Sequence, residues 1–316
     1  MALTTKGNLG PGRTEQSAFD AVHSAKRKDL WFAAGGLFVL AIAMSLLFTL
    51  IGDLIIRGTQ YIDYDFMTSY PSRLPERAGI LSAWVGSLLV MLVTAFLAVP
   101  VGIAAGLYLE EYARKGWFSD FIEINVSNLA GVPSIIYGLL ALGMFVYGMG
   151  LGQTILVAGM TLALLILPIV IVSTREAVRS IPQIVKEGAY GIGADQWQVM
   201  WNYIIPAARP GIMTGAIVGL SRAIGETAPL ITIGALTFIA FLPSPPVTGE
   251  FPFISFAWLH DGFTVLPIQM FNWVSRPQPE FHIAAAATGV VLIALTFSLN
   301  GIAIWIRYRL RKQHRN

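Results

Sequence analysis

From Leu30 to Ile56 the chain carries one charged residue, Asp53, in an otherwise uncharged run. About 20 such residues, wound as a helix, cross a hydrocarbon core of about 30 Å. Comparable runs recur at 80–108, 128–149, 151–173, 210–242 and 283–306. No water reaches the backbone in lipid, so spanning segments are helices or closed barrels. Runs this long, without alternation of period two, are helices. The expected fold class is therefore an all-α polytopic membrane protein with six transmembrane helices. Composition agrees: 55% of residues are hydrophobic and 12% charged, with mean hydropathy +0.66. An ordinary soluble domain carries about 25% charge. A soluble enzyme, a disordered chain and a coiled coil are excluded.

Lys26-Arg27-Lys28 precedes the first run as a signal-peptide n-region would. The run is too long for that, and Asp53 and Arg57 close it without a small-residue cleavage pattern. It is expected to be retained. Gly148, Gly150 and Gly152 separate the third and fourth runs as a tight turn. With the N-terminus inside, 16 of the 21 Lys and Arg fall on the inner side and 4 on the outer, with Arg222 in a span. That bias places both termini in the cytoplasm. The expected organisation is a cytoplasmic tail (1–29), a first transmembrane helix (30–56), an outer loop (57–79), a five-helix core (80–306) and a basic cytoplasmic tail (307–316). The core carries a cytoplasmic loop at 174–209 and an outer loop at 243–282. The terminal cations either set topology alone or also hold anionic headgroups of membrane lipid.

The chain has no cysteine, and its histidines (His23, His260, His282, His314) lack ligand spacing. Disulfides, thiolate chemistry and a metal site are not expected. The net charge of +3 sits at membrane edges, so no nucleic-acid partner is expected. The outer loop 243–282 has seven prolines and eight aromatic residues. It is expected to fold as a cap with rings at headgroup depth, or to dock an external partner.

Residues 180–206 suggest two short helices at the inner interface, with one face open to a cytoplasmic partner. Ser180, with Gln183 three residues on, predicts the first N-cap, and Asp195 with Gln198 the second. Gly191 and Gly193 supply the break, and Pro206 and Pro210 limit the second helix before span five. The alternative is a helix pair that only terminates two spans.

Span five holds Ser221, Arg222, Glu226, Thr227 and Pro229. Charges in hydrocarbon cost about 2.5–3.5 kcal/mol each on insertion scales, and are functional by default. Arg222 and Glu226, four apart, are expected to share a helix face, with Pro229 kinking the helix beyond. Arg stays charged and forks onto tetrahedral oxyanions, so an anion pathway is one reading; a pair bracing the bundle is the other. Gly211, Gly215 and Gly219, like Gly102 and Gly106, allow close helix approach, within the chain or to a second membrane subunit. Asn128, Pro133, Ser134 and Tyr137 open span three, either as a broken helix lining a path or as an ordinary helix start.

Glu187-Gly188-Ala189, Gly193 and Pro206 reproduce the spacing of the "EAA" loop, and resemble the coupling segment of ABC importer permeases. Gly188, Tyr203 and Ile205 depart from its usual residues. "NLAGVPSIIYGL" (128–139), "RAIGETAPL" (222–230) and "LPIQMFNW" (266–273) resemble the PstA family of permeases from phosphate-specific ABC importers. The resemblance implies a type I (MetI-like) permease architecture. Its implied partners are a PstC-like sister permease, two PstB-like ATPases and a PstS-like extracytoplasmic phosphate-binding protein. It implies a role for Arg222 and Glu226 in phosphate passage, with Ser221 and Thr227 beside them. No cofactor is expected on this chain, because the G-x-x-x-x-G-K-[ST] loop is absent; ATP and Mg belong to the partner ATPase. The alternatives are a sulfate or molybdate importer permease, an autonomous channel or carrier, and a membrane enzyme. The last lacks any G-x-S-x-G or H-E-x-x-H motif.

Overall fold

The computed structural model describes residues 11–114, 116–235, 239–247 and 253–312. The helices, in order, are α1 (Pro11–Gly58), α2 (Tyr64–Thr68), α3 (Leu81–Leu107), α4 (Trp117–Leu129), α5 (Ser134–Ala141) and α6 (Ile155–Arg179). They continue as α7 (Gln183–Gly191), α8 (Gln196–Val199), α9 (Ile205–Ile224), α10 (Ala228–Thr232), α11 (Leu266–Val274) and α12 (Pro279–Lys312). Wider π turns extend α3 over Tyr108–Tyr112 and α5 over Leu142–Gly148, and join α8 to α9 over Met200–Ile204. Among the described residues no strand forms; Val247 and Ile254 make one isolated bridge. Among the described residues five helices are long and apolar enough to cross a membrane, and the bent pair α4–α5 makes a sixth if counted as one span.

Residues 1–56 and 57–316 form two units. The first is essentially α1, which continues the expected span back through the predicted tail to Pro11; residues 1–10 lie outside the described residues. Its apolar side chains, Trp31, Phe38 and Phe48 among them, are exposed, as a lipid-facing span requires.

The second unit is built around α6. Thr154 accepts the Val157 N–H and starts this helix, after Gly150 and Gly152 have turned the chain at positive φ. Helices α3 and α9 lie on α6 at their glycines. A Cβ on Gly102 would stand 2.7 Å from Val170, and one on Gly106 would stand 2.7 Å from Thr174. On α9, Gly211 and Gly215 face Ala177 and Ser173, and Gly219 faces Val170 and Ile166. The small-residue spacing left open by the sequence is thus filled within this chain. Without water between helices, such close packing is the attraction lipid allows.

The predicted outer loop folds, and its rings divide. Trp258, Phe263, Trp273 and Phe281 are buried in the core, whereas Phe253, Phe256 and Phe271 are exposed; Phe251 lies outside the described residues. Placement of all the rings at headgroup depth is therefore corrected. Trp273 of α11 and Phe281 of α12 pack with Phe66 and Ala78, whereas Trp258 and Phe263 join the cluster around α6. The terminal basic segment likewise begins as helix, because α12 runs on to Lys312.

Overpacking a tight contact costs about 1–3 kcal/mol. Gly102→Leu is expected to lower the thermal unfolding midpoint of the purified protein. Gly301→Leu, where a Cβ meets nothing within 4 Å, is expected to leave it near the native value.

Candidate functional site: two helix breaks and an Arg–Glu pair

Helix α4 ends at Leu129, and α5 departs at 106° to it. Pro133 causes the break: it brings no N–H and pushes Val132 out of helical geometry. The sequence places a span start at 128, but the helix before the break already begins at Trp117. The freed polar groups are satisfied locally. The Leu129 carbonyl accepts the Tyr137 hydroxyl at 2.7 Å and the Val132 N–H at 3.1 Å. The Asn128 carbonyl accepts the Gly131 N–H at 3.0 Å. Tyr137 is buried, Ser134 half-buried, and Asn128 and Pro133 exposed.

The second break corrects the expectation of a continuous helix over 210–242. Helix α9 ends at Ile224 with Gly225 as its C-cap. Pro229 does not kink a helix; it sits in the first turn of α10, where its fixed φ and missing N–H cost nothing. Glu226 lies in the turn between them, not on the helix face shared with Arg222. The two still meet, with Arg222 Nε donating to Glu226 Oε1 at 3.3 Å. The Arg222 side chain is 39% exposed and that of Glu226 17%. The guanidinium is therefore partly open, while the carboxylate is more enclosed. Ser221 Oγ lies 2.6 Å from Asn300 Oδ1 on α12, a partner the sequence reading missed. Asn300 is a lone amide in an apolar run, and that was the available signal. Thr227 is half-buried at the start of α10, where its carbonyl accepts the Ile231 N–H at 3.0 Å.

The two breaks touch. A Cβ on Gly138 would stand 2.6 Å from the Pro229 carbonyl oxygen, so only glycine lets α5 reach α10. The structure thus sets the break that carries Tyr137 beside the break that carries Arg222, Glu226 and Thr227, with Ser221 preceding Arg222 at the end of α9.

The EAA-like residues lie elsewhere. Ala189 is buried against Val178, Val199, Met200 and Ile204. Glu187 and Gly188 are exposed, and Gly193 turns the chain at φ 88°. Asp195 and Gln198 cap α8 reciprocally, at 2.7 and 3.1 Å. Ser180 does not cap α7. Because α6 runs on to Arg179, Ser180 closes that helix instead, its hydroxyl donating to Ala177 at 2.8 Å, and Pro182 takes the α7 N-cap position. Pro206 and Pro210 do not stop the second helix either; the π turn at Met200–Ile204 carries it into α9. The outward face is apolar, with Ile184, Ile192 and Trp197 exposed.

Sequence reasoning also missed an ion-pair cluster at the foot of this loop. Arg175 pairs with Glu110 at 3.3 Å and Glu123 at 2.8 Å, Arg179 holds Glu110 at 3.0 Å, and Lys186 pairs with Glu111. Its signal was Glu110-Glu111 at the end of one apolar run and Arg175 and Arg179 at the end of another.

Residues 98–312 match the family described as the inner membrane component of binding-protein-dependent transport systems. The chain belongs to this family. It is accordingly a multi-pass inner membrane protein, the membrane component of a transport system. The Bacillus subtilis protein named "Probable ABC transporter permease protein YqgI" is 33% identical over 65% of this chain and 70% of its own. The phosphate transport system permease protein PstA of Xylella fastidiosa is 30% identical, over 81% and 85%. The fold is shared with a chain of a bacterial alginate ABC transporter crystallised with its alginate-bound periplasmic protein. The TM-score is 0.62 at 16% identity, covering 92% of this chain and 98% of that one.

Gly138→Val is expected to drive α5 and α10 apart at a cost of about 1–3 kcal/mol, read as a lower thermal midpoint. Gly143→Val has open space around its Cβ and is expected to have little effect.

Proposed function

We propose that this chain is a transmembrane permease subunit of an ATP-driven inorganic phosphate importer. The Arg222–Glu226 pair, held in a helix break and packed beside a second break, carries the reading. Helices broken at membrane depth occur where they line a cavity or lie within protein, and transport sites are often built from them. The names of the PstA relatives support phosphate as the anion. A PstC-like permease forms the rest of the path. Two PstB-like ATPases hydrolyse MgATP beneath α7 and α8, and a PstS-like protein delivers phosphate from outside. Both termini lie in the cytoplasm, as the Lys and Arg bias requires.

The pair also has a chemistry suited to selection. Hydrogen phosphate keeps an O–H near neutral pH and sulfate has none. Arg222 attracts either dianion, whereas an ionised Glu226 accepts the phosphate hydroxyl and repels sulfate. The exposed apolar face of α7 and α8 fits a groove on a protein partner, with Glu187 at its edge.

The test is labelled phosphate uptake in cells lacking their own importer, supplied with the three partner proteins. A lost charge-assisted contact is worth about 1.5–3 kcal/mol, about a tenfold to hundredfold loss of uptake for Arg222→Gln at equal membrane abundance. Equal uptake by both proteins makes Arg222 a brace; no uptake by the native chain moves the reading to another oxyanion. Glu226→Gln is expected to admit sulfate competition that the native chain resists, and unchanged exclusion would falsify the filter. Glu187→Lys is expected to reduce copurification of the ATPase without changing the level of this chain.

A further inference from the structure

Helices α7 and α8 are fastened to one point. Lys186 on α7 pairs with the Glu111 carboxylate, and Gln196 on α8 donates to the Glu111 carbonyl at 2.9 Å. Glu111 lies in the π turn that ends α3. Its neighbour Glu110 is held by both Nε and Nη2 of Arg179, at 3.0 Å each, and by Nε of Arg175 at 3.3 Å. The other arm of Arg175 crosses to α4, where Nη2 donates to Glu123 at 2.8 Å. Helix α4 then ends at Leu129, whose carbonyl is held by Tyr137 of α5. The next residue, Gly138, rests on Pro229 of α10, three positions from Glu226. Polar contacts thus run from the loop to α5, across the bend at Pro133, and close packing of Gly138 on Pro229 continues the path toward the Arg222–Glu226 turn.

Arg175 is the junction. Its side chain is 10% exposed, Glu110 16% and Glu123 41%. Enclosed ion pairs are weak devices for stability, since apolar residues of like size often do as well. They are directional, however, and a planar guanidinium bonded to carboxylates on two helices fixes the angle between them. That angle matters at α4 because α4 and α5 are separate rods meeting at Pro133.

We propose that Arg175 is a positioning residue that ties the tilt of α4, and through it the α5–α10 contact beside Arg222 and Glu226, to the position of α7 and α8. The proposal rests on the reading of α7 and α8 as the ATPase-facing helices. Movement of those helices pulls Glu111 and Glu110, Arg175 passes the shift to Glu123, and the broken helix changes its angle next to the anion pair.

The chain has no cysteine, so introduced pairs can carry spin labels without background. One pair, Ile192→Cys with Val218→Cys, reports α7 against α9. A second, Leu139→Cys with Val218→Cys, reports α5 against α9. All three positions are exposed. Distances are measured in the complex assembled with sister permease and ATPase, with and without MgATP. In the native background both pairs are expected to shift. In Arg175→Gln and in Glu123→Gln the α7 pair is expected to shift as before while the α5 shift is lost. Glu123 is more exposed than Arg175 and Glu110, so its variant keeps the test open if Arg175→Gln misfolds.

Two results overturn the relay: an α5 shift of native size in both variants, or no α5 shift in the native complex while α7 moves. No α7 shift in the native complex overturns instead the reading of the loop, and the relay with it. Phosphate imported per ATP hydrolysed supplies a second readout. It is expected to fall about 2- to 30-fold in Glu123→Gln with ATP hydrolysis retained, and to recover partly in Arg175→Lys relative to Arg175→Gln. A proportional fall of uptake and hydrolysis makes Arg175 a structural brace and sinks the proposal.

Discussion

Gly138 lies so close to the Pro229 carbonyl that no other residue fits between α5 and α10. The arrangement of the candidate site depends on this contact. In hydrocarbon an opened helix exposes N–H and C=O groups that no water satisfies, so a break persists only where protein encloses it. This chain has two such breaks and sets them against each other. Tyr137 and Val132 satisfy the carbonyl freed at the first. Gly225 and Glu226 donate back to Arg222 and Ala223 at the second, at 3.3 and 3.2 Å.

Helix α6 makes the meeting possible. Glycines on α3 and α9 bring both helices onto it at near-backbone distance, and α4 and α5 contact its flanks. Dispersion over these contacts supplies attraction that lipid cannot mimic, since lipid tails are as apolar as the side chains they would replace. The framework is therefore rigid where the glycines lie, and jointed at Pro133 and Gly225.

In the proposed reading the two sets of charges suit different work. Arg222 is partly open and paired weakly with one carboxylate, as a site for a passing anion needs. Arg175 is enclosed and shared by Glu110 and Glu123, as a joint between helices needs. One residue type suits both proposed roles because the guanidinium is always charged and planar.

Much of this protein was legible in its residues because bilayer thickness and local capping act over short stretches of chain. Six apolar runs gave the spans, and Asp195 with Gln198 gave a reciprocal cap that needs only four residues. The meeting of Arg222 and Glu226 was also foreseeable, since four residues of chain keep them near whether wound as helix or turn. What failed depended on distant neighbours. Ser180 lost its cap role because α6 packs far enough to reach Arg179. The break at Gly225 forms where α5 stands ready to cover α10. The described rings of 253–281 divide between core and surface according to which of them reach the two apolar clusters. The ion pairs of Arg175 join residues 52 and 65 positions away. Sequence alone fixed what must be buried in lipid and where helices can end. Tertiary structure chose which ends and charges meet, because those contacts are made across helices whose mutual distances no local pattern records.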